Sequence, residues 1–185
     1  MEIRFISGNE YKIEEAQEIL QVSGIKVVPV NIKIEELQTR DTTNLVRDKV
    51  LKAFNSIGRP LFVEHSGLYL NYLNGFPGGL TQIFWDTLQA DLFIELLNEN
   101  KDTKVVAKTL IGYCDGKRIF TFEGEVEGNV SSEPRGDRKF QWDCVFIPDG
   151  YDQTYSELGK RKNDISMRRR ALDSFRDYLV SERKL

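Results

Sequence analysis

Three polar side chains of different chemistry, Glu64, His65 and Ser66, follow directly on the apolar run Leu61-Phe62-Val63 and precede Gly67. A carboxylate can hold a cation, an imidazole with an ordinary pKa near ~6.5 can take a proton from water, and a hydroxyl can donate to either. His65 is also the only histidine of the chain. The apolar run reads as a buried strand that ends at Val63, and ligands gather beyond the carboxyl ends of strands in open α/β sheets. A site is expected at that break. A polar turn that closes a hairpin, with Tyr69, Leu70, Tyr72 and Leu73 returning to the core, accounts for the same residues equally well.

Two further groups could meet an anion. Ser7-Gly8-Asn9 stands before the helical pattern Ile13, Ala16, Ile19, Leu20, so free backbone N–H groups face outward there and Lys12 adds a mobile cation, the makings of a phosphate cradle. An ordinary N-cap explains the same residues. Near the other end, Lys160, Arg161, Lys162, Arg168, Arg169 and Arg170 crowd the start of a helix marked by Ile165, Leu172, Phe175 and Leu179. Cations oppose the macrodipole at that end, so either a bound polyanion or simple solvation has to offset them.

The elements that position these groups alternate in type. Ile3–Ile6 reads as a strand, and Lys26–Ile34 as a second that runs into Glu35-Glu36. A helix capped at Asp41-Thr42-Thr43 carries Leu45, Val46, Val50, Ala53 and Phe54 inward and Arg47, Lys49 and Lys52 outward. After the focal strand, Gly75–Gly79 is a loop. A helix starts near Thr81, breaks near Asp91 and stops at Asn98-Glu99-Asn100. Segments 104–113 and 117–127 form a hairpin with one polar face, 128–139 is a loop, and CVFIP is a short strand. This is an α/β chain, expected as one domain over residues 1–185.

Bulk composition excludes several classes of function. Of 185 residues 40% are hydrophobic and 30% charged, enough for a proper core, and the net charge of -3 argues against a nucleic-acid polymer or a membrane surface as partner. Cys114 and Cys144 lack metal-ligand spacing and read as reduced thiols. With neither a signal peptide nor a stretch of ~20 apolar residues, a cytoplasmic protein is expected.

In chain order, SGNEYK, Glu36, VEHSGL with NGFPGG, PRG, KFQWDCVFIPDGYDQTYSELG and KNDISMRRRAL resemble the inosine triphosphate pyrophosphatase family over nearly the whole chain. The resemblance implies an elongated, curved mixed β-sheet, helices covering two lobes, a nucleotide cleft between the lobes, and a homodimer. It also implies hydrolysis of purine nucleoside triphosphates such as ITP, dITP and XTP to the monophosphate and pyrophosphate with Mg²⁺, or with Mn²⁺ in its place. Carried over by position, Ser7, Gly8, Asn9 and Lys12 hold the triphosphate, and Lys49 and Ser66 face it. Glu36 and Glu64 hold the metal. Phe140 and Trp142 flank the base, Asp143 meets the base or sugar edge, and Lys162, Ser166 and Arg168 contact the base and its keto oxygen. Glu64, His65 and Lys12 are the catalytic candidates.

Three departures from the family pattern cluster at this site. His65 stands where the family has Asp, Met167 where it has His, and Lys139-Phe140-Gln141-Trp142-Asp143-Cys144 replaces a glycine-rich segment. Imidazole is a poor ligand for Mg²⁺, which prefers oxygen. Three functions fit: a pyrophosphatase in which His65 activates water, a nucleotide-binding homologue with lost turnover that serves as a sensor or regulator, and a phosphohydrolase of another substrate.

Overall fold

The computed structural model describes residues 1–98 and 102–182. Its frame is a seven-stranded mixed sheet: β1 (Glu2–Ile6), β2 (Lys26–Val30), β3 (Leu61–Leu70), β4 (Phe76–Pro77), β5 (Lys104–Cys114), β6 (Ile119–Val130) and β7 (Phe146–Pro148). The spatial order is β2-β1-β3-β5-β6-β7, with β4 paired to β3. β1 runs parallel to β2 and β3, whereas the pairs β3/β5, β5/β6 and β6/β7 are antiparallel. Helices α1 (Glu10–Gln21), α2 (Thr42–Ile57), α3 (Thr81–Asn98), α4 (Tyr155–Leu158), α5 (Lys162–Ile165) and α6 (Met167–Glu182) complete it. The expected α/β class is what forms.

Strand β3 lies at the centre of the sheet and organises the core by alternation. Phe62 packs with Ala16 of α1 and with Ala171 and Phe175 of α6, stacked on Phe5 at 4.3 Å between ring centroids. Val63, one residue on, packs with Leu45, Val46 and Val50 of α2. Further along, Leu68 and Leu70 meet Trp85, Phe93 and Leu97 of α3. Successive side chains of a strand point to opposite faces, so Glu64 belongs to the α1/α6 side and His65 to the α2 side.

Several boundaries differ from expectation. β3 does not end at Val63; it continues for seven residues through Glu64, His65 and Ser66, all paired with β5. Ten backbone partners on β5 outweigh the local polarity, and charges within the barrier of the sheet are neutralised by other charges rather than by water. β2 stops at Val30, and Ile32 and Ile34 instead pack their side chains against the α2 cluster from an irregular segment. The break expected in α3 near Asp91 falls at Gln89, with φ 53°, and the expected stop at Glu99-Asn100 lies outside the described residues. β6 reaches Val130, three residues beyond the expected hairpin.

Helix α6 sits hard on β6. A methyl group added at Gly124 would lie 2.1 Å from the carbonyl oxygen of Met167 and 2.5 Å from the nitrogen of Ala171, so only glycine lets the helix come this close. That contact fixes the depth at which Arg168 enters the core.

Candidate functional site

Two adjoining cavities open along the same edge of the fold. The first, about 420 Å³, is lined by Tyr11, Glu15, Phe140, Asp143, Tyr155 and Lys162 among others. The second, about 300 Å³, is lined by Ser7, Gly8, Asn9, Lys12, Glu36, Lys49, Glu64, Gln82 and Gln141, with Ile32, Lys33 and Ile34 closing one side. They meet at two pairs of consecutive residues: Tyr11 faces the first and Lys12 the second, and Phe140 faces the first and Gln141 the second. The rings of Tyr11 and Phe140 touch edge to face at 5.2 Å between centroids.

The second cavity has the character of an anion site. Asn9 caps α1, its Oδ1 accepting from Lys12 N at 3.1 Å, and Asn9 N donates to Ser7 Oγ at 3.1 Å. The cap satisfies the Lys12 amide, and Ser7, Gly8, Asn9 and Lys12 at the start of this twelve-residue helix line the cavity. Lys12 Nζ lies 3.2 Å from Glu64 Oε1, and Lys49 Nζ donates to Glu36 Oε1 at 2.5 Å and to the Glu64 carbonyl at 3.3 Å. The N-cap reading is what forms, and the residues of the phosphate-cradle reading line the cavity beside it.

Behind the cavities the charges form a closed lattice. Arg168, 1% exposed, donates through Nε and Nη2 to Glu64 at 2.9 and 3.2 Å and through Nη1 to Glu15 at 2.6 Å. Lys162 Nζ donates to Asp143 Oδ2 at 2.6 Å, lies 3.8 Å from Glu15 Oε1, and sits 4.3 Å from the Phe140 ring centroid. Ser66 Oγ donates to Glu64 Oε1 at 2.9 Å; its single proton being spent, Thr109 Oγ1 is the donor in their 2.7 Å contact. The cations at the start of α6 are thus offset neither by a polyanion nor by water alone. Buried carboxylates neutralise Lys162 and Arg168, and Asp173 pairs with Arg169 at 2.7 Å.

These surroundings set the protonation states. Burial would raise the pKa of Glu64, but the charges of Arg168 and Lys12 overcome it and hold the carboxyl well below the usual range. Burial likewise opposes ionisation of Glu36, and Lys49 reverses it. Burial lowers the pKa of Lys12, with Glu64 opposing. Asp143 goes the other way: burial raises it despite Lys162, and its Oδ1 is buried without a hydrogen-bond partner. His65 is lowered to about 4, first by burial and then by the Lys12 and Lys49 charges, so it is neutral near pH 7.

The expected site residues fall into three groups. Ser7, Gly8, Asn9, Lys12, Lys49, Glu36 and Glu64 share the second cavity; Phe140, Asp143 and Lys162 share the first. Ser66, Trp142, Ser166 and Arg168 line neither. Trp142 is packed against Phe146 and Tyr155, Ser166 caps α6 by accepting from Arg169 N at 3.1 Å, and Arg168 is a strut. His65 lies inside the strand rather than at its end. Its Nδ1 is 3.9 Å from Glu36 Oε2, while Nε2 is buried without a partner and the side chain is 8% exposed. Tyr11 and Gln82 carry no signal of this kind in the sequence, and Gln141 stands out only as part of the segment that replaces a glycine-rich one. Glu15 could have been found, since it lies three residues from Lys12 on one helix face.

Both oxygens of Glu64 are engaged by Arg168, Lys12 and Ser66, and among the described residues no group of three or more His, Cys, Asp and Glu gathers to hold a metal. The donor set does not fit a metal caged by protein ligands. It does fit an ion that takes Glu36 and completes its shell with phosphate oxygens and water, the usual habit of Mg²⁺. No helix among the described residues is long and apolar enough to cross a membrane.

A mixed sheet that sets a cationic cavity beside an aromatic one defines a class of protein with known relatives. A Coxiella burnetii HAM1 protein is 26% identical, with a TM-score of 0.80 over 98% of this chain and 99% of that one. The Staphylococcus aureus Ham1 protein shares the fold with a TM-score of 0.81 over 98% and 100% at 23% identity. Among curated proteins, the dITP/XTP pyrophosphatase of Methanopyrus kandleri is 37% identical over 180 residues, 96% of each chain. That of Thermococcus kodakarensis is 34% identical over 186 residues, the full length of both. The Ham1 family pattern matches residues 3–178, and the chain belongs to that family.

Proposed function

We propose that the protein is a nucleoside triphosphate pyrophosphatase that converts non-standard purine nucleotides such as ITP, dITP and XTP to the monophosphate and pyrophosphate. The observation that carries this reading is the junction of the two cavities. A triphosphate fits the one lined by Lys12, Lys49 and the N-terminus of α1, and a planar base fits the one lined by Phe140, Tyr11 and Lys162. The relatives' named activity supports the same substrate class.

In the reaction a water oxygen bonds to the α-phosphorus, the bond from that phosphorus to the bridging oxygen breaks, and pyrophosphate leaves. Lys12 and the α1 amides bind the phosphate oxygens. Lys49 exchanges Glu36 for phosphate, which frees the carboxylate. Magnesium, or manganese in its place, arriving with the nucleotide would be held by Glu36 and would supply charge neutralisation on the phosphates. His65, neutral and with Nε2 unpartnered, accepts the proton that water loses. Asp143 and Lys162 meet the base edge. A cytoplasmic homodimer completes the proposal.

One observation favours a second reading, a nucleotide-binding homologue without turnover: His65 lines neither cavity. Pyrophosphate release from ITP, dITP, XTP, ATP and GTP, with Mg²⁺ and with Mn²⁺, decides between them. Turnover of ITP, dITP and XTP in preference to ATP and GTP supports the pyrophosphatase; tight, salt-sensitive binding without release refutes it in favour of the second.

A further inference from the structure

Gln141 departs from the rest of its segment in two ways. Its φ is 42°, in the left-handed region that a side chain with a Cβ rarely adopts, and the side chain is delivered onto the wall of the phosphate cavity at the junction with the base cavity. Across that junction it meets α3: Gln141 Nε2 donates to Gln82 Oε1, and Gln82 Nε2 donates to Asp86 Oδ1 at 2.8 Å.

This relay fixes which way both amides face. An ionised carboxylate only accepts, so Asp86 requires the NH₂ end of Gln82, which turns the Gln82 oxygen toward Gln141 and takes the NH₂ end of Gln141 in turn. What remains is the amide oxygen of Gln141, an acceptor with no partner among the described residues. It stands where the two cavities meet, with the Tyr11 ring in contact with neighbouring Phe140. In a nucleotide with its base in one cavity and its phosphates in the other, the group that must occupy this junction is the sugar, whose hydroxyls are donors.

We propose that Gln141 reads the sugar: its amide oxygen accepts a hydrogen bond from a ribose hydroxyl, with Gln82 and Asp86 as positioning residues. The inference rests on the nucleotide reading above and adds a determinant of specificity to it. The 2′ and 3′ hydroxyls present the same chemistry, and single deoxy analogues tell them apart.

The test compares ITP, 2′-deoxy-ITP and 3′-deoxy-ITP by kcat/KM on the wild type, Gln141→Gly and Asp86→Ala. Glycine suits the left-handed backbone, so Gln141→Gly folds without added strain. One neutral hydrogen bond at a half-buried site is worth about 3- to 10-fold. The wild type is expected to disfavour one deoxy analogue by that factor, Gln141→Gly to bring the ratio close to one, and Asp86→Ala, which frees the amide to flip, to give an intermediate ratio. The same ratio for wild type and Gln141→Gly overturns the proposal while leaving the pyrophosphatase reading intact. Should no nucleotide be turned over, that reading falls and the sugar preference is judged on dissociation constants of the same three nucleotides. Absence of binding overturns both.

Discussion

Replacing Arg168 by methionine removes one guanidinium from between two buried carboxylates, Glu64 and Glu15, and leaves three charge-assisted hydrogen bonds unmade. Methionine fills much of the same volume, so the loss is chiefly electrostatic. Lys12 and Ser66 still face Glu64, and Lys162 faces Glu15 only at 3.8 Å. Breaking a buried ion pair from one side costs about 3–5 kcal/mol, because the remaining charge stays in a medium that solvates it poorly. For a chain of this size that corresponds to a fall in Tm of about 6–20 °C. Urea unfolding followed by circular dichroism measures it. Adding Glu64→Gln to Arg168→Met should recover at least ~1 kcal/mol, since the stranded charge is then gone. The pH dependence has a definite sign. Glu64 has a folded pKa depressed below its ordinary 4.5, so its contribution is fully present above about pH 4.5 and is lost as the pH falls below that toward the folded value. In Arg168→Met this acid sensitivity should be shallower. A destabilisation under ~1 kcal/mol, or a double variant no more stable than the single, would refute the lattice as a neutralised unit.

Gly124→Ala should destabilise by about 1–3 kcal/mol or more in the same urea experiment, because the new methyl collides with the backbone of α6 rather than with a movable side chain. Thr154→Ala should lose about 1 kcal/mol: the Thr154 side chain accepts from Glu157 N at 3.2 Å while Glu157 accepts from Thr154 N at 2.8 Å, a complete capping box at α4. His65→Asp separates two accounts of the site by sign. If His65 is the base, turnover of ITP falls at least tenfold; a rise would sink that role and show that a carboxylate was wanted there. Lys49→Met should weaken ITP binding about tenfold and reduce its salt dependence, and unchanged binding would remove Lys49 from the phosphate site.

Sequence periodicity located the four long helices and the hairpin because their apolar positions are numerous and regularly spaced, but not the four-residue helices α4 and α5. It misplaced the end of β3, since the run Glu64-His65-Ser66 looks like a boundary unless Lys12, Arg168 and Glu36 are known to be near. Those partners lie as far as 104 residues away along the chain. The N-cap at Asn9, with Lys12 beside it, was legible because all its parts are local. Arg168 was legible as a charge but not as a strut, because nothing in its neighbourhood in sequence marks Glu64 and Glu15 as its partners. Gln141 was visible only as an interruption of a glycine-rich pattern; its relay to Asp86 crosses 55 positions and needs the fold.

The alternation of β3 separates two tasks onto the two sides of a single strand. Glu64 and Ser66 face the α1/α6 side and belong to the charge lattice that the packing depends on, while His65 faces the α2 side, with its Nδ1 3.9 Å from Glu36 Oε2. Adjacent positions thereby take their contacts from different sides of the strand, although the Lys12 charge acts on both. A change at residue 65 can alter reactivity without dismantling the scaffold one residue away, whereas a change at 64 cannot avoid doing so. A protein laid out in this way can try new chemistry at low risk of losing its shape, which makes residue 65 the natural place to begin redesign.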